Sequence, residues 1–132
     1  MALPTFVSLL TFNRNYRYNK GDMLDGIRNL KRVVITQHPK IKGVAEQAHQ
    51  ISSIFEAHGI STFVCNTNQT DLPQKLENGE FDLVIALGGD GTMLRAGHLT
   101  APWGVPLLGI NLGRFGFLMQ LDRDEWQNYM PR

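Results

Sequence analysis

The sequence FDLVIALGGDGT occupies residues 81–92 and decides how the rest of the chain is interpreted. Its first seven residues, which end at Leu87, form a short apolar run typical of a buried strand. The glycines that follow are typical of a tight turn. We expect a helix to start at Gly91 or Thr92 and to run to about Leu99. This stretch therefore predicts a strand, a glycine-rich turn and a helix in direct succession.

Comparable strands and helices are predicted on both sides of this unit. Residues 32–37, 60–65 and 105–110 are short, apolar and rich in β-branched residues, so we interpret them as strands. A helix is predicted over residues 43–58, where the apolar residues at helical spacing are Val44, Ala48, Ile51 and Phe55. The alternation of strands and helices predicts an α/β fold with a parallel sheet and helices on both faces.

The two ends of the chain differ from this pattern. Residues 1–31 carry five Lys or Arg against two Asp, and we interpret them as a disordered N-terminal extension. The folded domain is then expected over residues 32–132. Within it, a short helix is predicted up to Glu77, and the acidic run 122–126 is expected to open a final helix, because acids favour the first turn.

Composition excludes several classes of function. The chain has 132 residues, with 13 Lys or Arg and 12 Asp or Glu, so it lacks the basic excess that nucleic-acid binding needs. No apolar run reaches the roughly 18 residues of a membrane span. The single cysteine, Cys65, forbids an intrachain disulfide and predicts a cytoplasmic protein. The four histidines are scattered, and no Cys/His cluster has the spacing of a metal site.

The glycine-rich turn carries the strongest chemical signal. Gly88 and Gly89 let the backbone approach a ligand, and the N–H groups of the following helix suit phosphate. A carboxylate at Asp90 repels phosphate unless a cation or a hydroxyl lies between them. We therefore expect Asp90 to orient or deprotonate a substrate hydroxyl, or to bind Mg²⁺ through water, as in phosphoryl transfer to an alcohol. The alternative is a purely structural turn with Asp90 as the N-cap.

A second segment, residues 109–118, follows the fourth predicted strand and reads GINLGRFGFL. Asn111 and Arg114 are candidates for binding polar groups, and Phe117 is a candidate for stacking on a base. The alternative is that Phe115 and Phe117 are core residues and that Arg114 is solvated. Neither segment matches a P-loop, which needs Gly-Lys-Ser/Thr, or the dinucleotide fingerprint G-x-G-x-x-G.

Together the two segments resemble the NAD kinase family. Members carry Gly-Gly-Asp-Gly-Thr after a strand, which corresponds to residues 88–92 of this chain. They also carry a later glycine-rich segment, to which residues 106–118, PLLGINLGRFGFL, correspond. Phe115 departs from the usual leucine. The resemblance covers residues 32–132 and implies a phosphofructokinase-like, Rossmann-like sheet that forms the N-terminal half of a two-domain fold.

The resemblance also implies a reaction and a set of site residues. Members transfer the γ-phosphate of ATP to the 2′-hydroxyl of the adenosine ribose of NAD, with a divalent metal such as Mg²⁺, and we expect a homo-oligomer. Asp90 then corresponds to the proton acceptor and, with Gly91, to a dinucleotide contact. By the same resemblance, Arg95 corresponds to a basic NAD-binding residue and Phe117 to an aromatic near the adenine. The residues that would shape the phosphate site are Gly88, Gly89 and Thr92.

Members of the family are longer than this chain. Their β-rich C-terminal domain, which grips the ribose, has no counterpart after Leu118, so we expect the chain alone to lack useful kinase activity. Two alternatives stay open: a non-catalytic nucleotide-binding or regulatory module, and a lipid or sugar kinase that shares Gly-Gly-Asp-Gly. The donor, ATP or polyphosphate, and the acceptor, NAD or NADH, also stay open.

Overall fold

The structure is a computed structural model that describes residues 30–113, 121–124 and 126–129. Its strands are β1 (Arg32–Gln37), β2 (Ser61–Asn66), β3 (Leu83–Gly88), β4 (Leu107–Asn111) and β5 (Leu121–Asp122). Its α-helices are α1 (Val44–Ala57), α2 (Leu72–Glu77) and α3 (Asp90–Thr100), and two 3₁₀ helices span Ala101–Trp103 and Trp126–Tyr129. Within these ranges, no helix is long and apolar enough to cross a membrane.

The five strands form one parallel sheet in the order β2-β1-β3-β4-β5. The predicted α/β class is therefore confirmed. The chain leaves β1 toward β2 on one side, whereas β3 pairs with β1 on the other side. Such a reversal opens a crevice between the carboxyl ends of β1 and β3, and ligands of open α/β sheets bind at this kind of position.

Alternate residues of the central strands feed two separate cores. On one face, Ile35 and Ile85 pack with α1 and with the buried Trp126. On the other face, Val34, Val84 and Ala86 pack with α2 and with Ala96 of α3. Because both faces are covered, β1, β3 and β4 are apolar on both sides, as the sequence predicted.

Helix α1 confirms the helical periodicity. The residues it buries are Val44, Ala48, Ile51 and Phe55. The helix ends at Ala57, and Gly59 follows the C-cap residue with a φ of 77°, a conformation that favours glycine. There the N–H of Gly59 donates to the Glu56 carbonyl and that of Ile60 donates to the Phe55 carbonyl, which is the hydrogen-bond pattern of a Schellman cap.

The ends of the chain are only partly described. Of the predicted extension over residues 1–31, the structure describes Leu30 and Lys31, and Leu30 is buried in the core beside α1. Residues 1–29 lie outside the described residues. The predicted final helix is wrong at its start, because Leu121–Asp122 pairs with β4 as a strand. Local acidic residues could not reveal this pairing, which depends on the distant strand β4.

The free edge of β2 is partly blocked by α1. The N–H of Ser61 donates to the Lys31 carbonyl, so the next amide, that of Thr62, faces away from β1. That amide donates to Glu56 Oε1 at 2.8 Å, and the Thr62 hydroxyl donates to the same oxygen at 3.0 Å. Because the Thr62 amide already donates a hydrogen bond, it is not available to pair with a strand of another molecule.

Removing this carboxylate should lower stability. We expect Glu56→Ala to reduce the free energy of unfolding by about 1 kcal/mol, because the Thr62 amide and hydroxyl both lose their acceptor. Urea denaturation measures the change. The matched control is Glu77→Ala, at an exposed position of α2, which should alter stability by less than about 0.5 kcal/mol. Equal losses of stability in the two variants would contradict a stabilising role for the hydrogen bonds between Thr62 and Glu56.

Cys65 lies on β2 and faces the second core, where it is 7% exposed. Burial, and secondarily the negative charge of Asp71, raises the pKa of the thiol from 9.0 to about 11. Because the thiolate is the reactive form, this cysteine is expected to behave as a packing residue.

The raised pKa has a consequence for stability at high pH. The folded state holds the Cys65 proton more tightly than the unfolded state, so its contribution is complete below about pH 9 and is lost as the pH rises toward 11. We expect the stability difference between the wild-type chain and Cys65→Ala to shrink over that interval. Chemical denaturation at pH 8, 9, 10 and 11 measures it, and a difference independent of pH would refute the shift.

Candidate functional site

The carboxyl end of β3 is held between its two neighbours. On one side, the N–H of His38, which follows β1, donates to the Leu87 carbonyl at 3.1 Å. On the other side, the N–H of Leu112, which follows β4, donates to the Gly88 carbonyl at 2.9 Å. The glycine-rich turn therefore starts from a fixed point, with the loops after β1 and β4 beside it.

Gly88 is required by the packing of α3 on β3. A Cβ at this position would lie 2.8 Å from the Cβ of Thr92, which is well inside the closest approach of real carbon atoms. Thr92 itself is 4% exposed, in the first turn of α3. The absence of a side chain at Gly88 thus lets the helix begin directly over the end of the strand.

Gly89 and Gly91 differ from Gly88 in this respect. A Cβ at either position would meet no atom within 4 Å, and neither residue has a positive φ. The fold of the described residues therefore does not demand glycine at these two positions. Their bare backbone borders open space, as a site that accepts a ligand close to the main chain would require.

Asp90 is the first residue of α3, one position before the predicted start of the helix. The Gly89 carbonyl accepts the first helical hydrogen bond, from Met93 at 3.0 Å, so Gly89 is the N-cap. The N-cap position that the structural alternative gave to Asp90 therefore belongs to Gly89. Asp90 is partly exposed at the helix N-terminus, where the helix dipole favours a negative side chain.

Two adjoining cavities lie between the loop after β1 and the N-terminal half of α3. The first, of about 300 Å³, is lined by His38, Ile41, Gly89, Gly91, Thr92 and Arg95. The second, of about 280 Å³, shares three of these residues and extends over the loop after β2, with Pro39, Lys40, Thr67 and Asn68 in its lining. We call the two together the β1–β3 crevice. It occupies the position expected from the strand order.

The β1–β3 crevice combines backbone, hydroxyl and cationic groups. Lys40 and Arg95 supply permanent positive charge, and the described lining of both cavities holds no carboxylate. The N–H of Lys40 donates to His38 Nδ1 at 3.1 Å, so the proton of the neutral imidazole lies on Nε2, as a donor. The arrangement suits an anion with several oxygens.

The structure places Asn111, at the end of β4, beside Gly88, its register partner in β3. The Asn111 side chain is nearly buried, and its Oδ1 accepts a hydrogen bond from the Gly113 amide at 3.1 Å. This bond gives the residue a role in the turn after β4. Asn111 also borders a separate cavity of about 500 Å³ at the ends of β4 and β5. The other residues that line this cavity are Leu112, Gly113, Asp122, Arg123 and Asp124.

The predicted site residues are thus distributed unequally. The residues that line the crevice are Gly89, Gly91, Thr92 and Arg95, whereas Gly88 and Asp90 belong to the same turn but are not part of the lining. Asn111 lies across β3 from it. Phe117 and Arg114 lie outside the described residues, so their predicted roles stay predictions.

Sequence reasoning missed the residues that the loops after β1 and β2 contribute. The polar residues of these loops that line the crevice are His38, Lys40, Thr67 and Asn68. The sequence HPK, residues 38–40, directly follows the first predicted strand, and no role was predicted for it. The available signal was its position, because residues that follow parallel strands share one edge of the sheet.

The contrast between adjacent glycines can be tested. Gly88→Ala should lower the free energy of unfolding by about 2 kcal/mol, because the added methyl collides with Thr92. Gly89→Ala should change it by less than about 0.5 kcal/mol, since its Cβ enters open space at a φ of −119°. Thermal and urea unfolding of both variants measure the difference, and equal losses would contradict the packing role.

Comparison with known proteins identifies the family of this chain. The family model of the ATP-NAD kinase N-terminal domain matches residues 25–132. The NAD kinase of Treponema denticola is 35% identical over 98 residues, which cover 74% of this chain and 34% of the relative. The NAD kinase of Nitratidesulfovibrio vulgaris is 36% identical over 103 residues, which cover 78% of this chain and 34% of the relative.

The NAD kinase of Aquifex aeolicus is 39% identical over 64 residues, which cover 48% of this chain and 23% of the relative. The chain therefore spans about a third of the length of the first two relatives, and less of the third. The family match extends over most of the chain and includes both glycine-rich segments. The resemblance to NAD kinases is confirmed, and the chain belongs to the ATP-NAD kinase N-terminal domain family.

Proposed function

We propose that this chain supplies the phosphate-transfer half of an NAD kinase site. In the longer protein, a phosphate of ATP passes to the 2′-hydroxyl of the adenosine ribose of NAD, and NADP is the product. The proposal includes a cytoplasmic location and a homo-oligomeric state. The observation that carries it is the position of Asp90 at the N-terminus of α3, between Gly89 and Gly91, which line the β1–β3 crevice together with Arg95.

The position of Asp90 favours a chemical role over a structural one. Gly89 already serves as the N-cap, so the carboxylate is not needed for that purpose. A site that only held phosphate would gain nothing from an added negative charge beside it. A carboxylate next to a phosphate site is useful when a hydroxyl must lose its proton during attack on phosphorus.

The proposed step forms one bond to phosphorus, breaks another and moves one proton. The ribose 2′-oxygen forms a bond to the terminal phosphorus of ATP, and the bond from that phosphorus to the leaving ADP oxygen breaks. Asp90 accepts the hydroxyl proton. Gly89 and Gly91 let the phosphate approach the main chain, and Arg95, the basic NAD-binding residue that the resemblance implies, lines the same cavity.

A dedicated metal site does not fit the residues that the structure describes. Among them, no group of three His, Cys, Asp or Glu is arranged to hold a metal ion. Mg²⁺ commonly keeps several waters and binds substrate phosphates with only one or two carboxylates. In this proposal the cation is brought by the nucleotide, and its chemistry is neutralisation of phosphate charge.

The role of Asp90 is testable in the longer protein. Asp90→Asn should lower the rate of NADP formation from NAD and Mg-ATP by about 10²- to 10⁴-fold, because the amide cannot accept the proton. Coupled enzymatic assay of NADP measures the rate. The free energy of unfolding should change by less than about 1 kcal/mol, since the dipole interaction at the first turn is weak. Unchanged kinase activity in this variant would refute the proposal.

The same assay also tests whether polyphosphate replaces ATP as the donor and whether a lipid or a sugar replaces NAD as the acceptor. The wild-type protein is supplied in turn with ATP or polyphosphate, and with NAD, NADH, fructose 6-phosphate or diacylglycerol. Phosphorylation of a sugar or a lipid in place of NAD would overturn the acceptor assignment. Nucleotide binding with no transfer to any acceptor would favour a non-catalytic module.

A further inference from the structure

We propose that Arg123 is a positioning residue that fixes the glycine-rich turn after β3 by acting through Leu112. This inference rests on the proposed function, because the turn that Arg123 fixes carries Asp90. Arg123 is exposed and directly follows β5, at the same edge of the parallel sheet as the turn. Its guanidinium Nη2 donates a hydrogen bond to the Leu112 carbonyl at 2.8 Å, a distance typical of a charge-assisted hydrogen bond.

Leu112 connects this arginine to the end of β3. Its N–H donates to the Gly88 carbonyl at 2.9 Å, while its own carbonyl accepts the hydrogen bond from Arg123. Its side chain is buried and packs in the core beside α1. Leu112 is thus held through its N–H, its carbonyl and its side chain, and it is the single residue that lies between Arg123 and Gly88 in this series of contacts.

The short length of β5 explains why a side chain is used at this point. Strand β5 has two residues, and its register with β4 ends at the pair formed by Asn111 and Asp122. Leu112 lies one position beyond this pair, so the hydrogen bond from Arg123 takes the place of further main-chain pairing. The Asn111 side chain adds a second restraint, because its Oδ1 accepts a hydrogen bond from the Gly113 amide at 3.1 Å.

The direction of the Gly88 carbonyl also sets the direction of the next amide. In a planar trans peptide the C=O and the N–H point to opposite sides, so the N–H of Gly89 points away from Leu112. On that side Gly89 lines the β1–β3 crevice, and Asp90 follows as the first residue of α3. Rotation of this peptide would therefore shift the start of α3 and its carboxylate relative to the neighbouring loops.

Direct contact with a substrate is the competing role for Arg123, because Arg123 also lines the cavity at the ends of β4 and β5. The two roles differ in their kinetic effects. Loss of a group that only binds substrate raises KM and leaves kcat unchanged, whereas loss of a positioning group lowers kcat at nearly constant KM. The hydrogen bond that the guanidinium already makes to the Leu112 carbonyl favours the positioning role.

The first test is steady-state kinetics of the longer protein with NAD and Mg-ATP. Arg123→Ala should lower kcat for NADP formation about tenfold, with each KM changed less than about twofold, because a small misplacement of a reacting group slows the chemical step. Arg123→Lys should restore kcat to within about threefold of the wild-type value, since its ammonium also donates to a carbonyl. Circular dichroism verifies that each variant is folded.

Arg32→Ala is the matched control. Arg32 is also an exposed arginine whose Nη2 donates to a main-chain carbonyl, that of Gly79 at 3.3 Å. It begins β1, however, and therefore lies at the opposite edge of the sheet from the turn. Its loss should change kcat less than about twofold, as expected for a surface substitution away from the site.

The second test is amide hydrogen exchange of the 132-residue chain, measured by nuclear magnetic resonance, which does not depend on catalysis. Arg123→Ala should speed exchange of the Leu112 amide about tenfold, because local opening at the end of β4 becomes easier. Arg32→Ala should leave exchange of this amide unchanged. Unchanged exchange of the Leu112 amide in Arg123→Ala would overturn the proposal.

The kinetic outcomes separate this proposal from its alternatives. A raised KM for NAD or ATP at unchanged kcat in Arg123→Ala would overturn it in favour of direct binding. Equal loss of kcat in Arg123→Ala and Arg32→Ala would overturn it in favour of general destabilisation. Faster exchange of the Leu112 amide, combined with a longer protein that makes no NADP, would refute the proposed function and support the positioning of the turn by Arg123.

Discussion

The close approach of Thr92 to Gly88 is the contact on which the site depends. Because Gly88 has no side chain, the first turn of α3 lies directly against the last residue of β3. This contact sets the position of the helix N-terminus above the sheet. Asp90, Gly91 and Arg95 are consequently fixed relative to the loops that follow β1 and β4.

The order of strands then decides what surrounds that turn. Since β3 pairs with β1 and with β4, the loops after both strands lie beside it. The hydrogen bonds from His38 to Leu87 and from Leu112 to Gly88 hold these loops at the edge of the sheet. The crevice therefore arises from main-chain pairing, and the side chains of the loops give it charge.

The sequence predicts the local features of this arrangement well. Four of the five strands and all three α-helices were expected within a few residues, because the strands are apolar on both faces and α1 repeats its apolar residues at helical spacing. Features that depend on distant pairing were missed. The short strand β5 exists only through β4, and Lys40 enters the site only because β1 lies next to β3.

The charge of the site is likewise a local property that the composition conceals. The chain carries a net charge of only +1, yet Lys40 and Arg95 lie on one side of the end of β3, while Asp122 and Asp124 lie on the other. Two like charges about 4 Å apart repel by about 4 kcal/mol at an effective dielectric constant of roughly 20. Salt screens charges beyond about 8 Å, so groups that line the crevice dominate its field. A phosphate brought close to Asp90 would need such cations beside it.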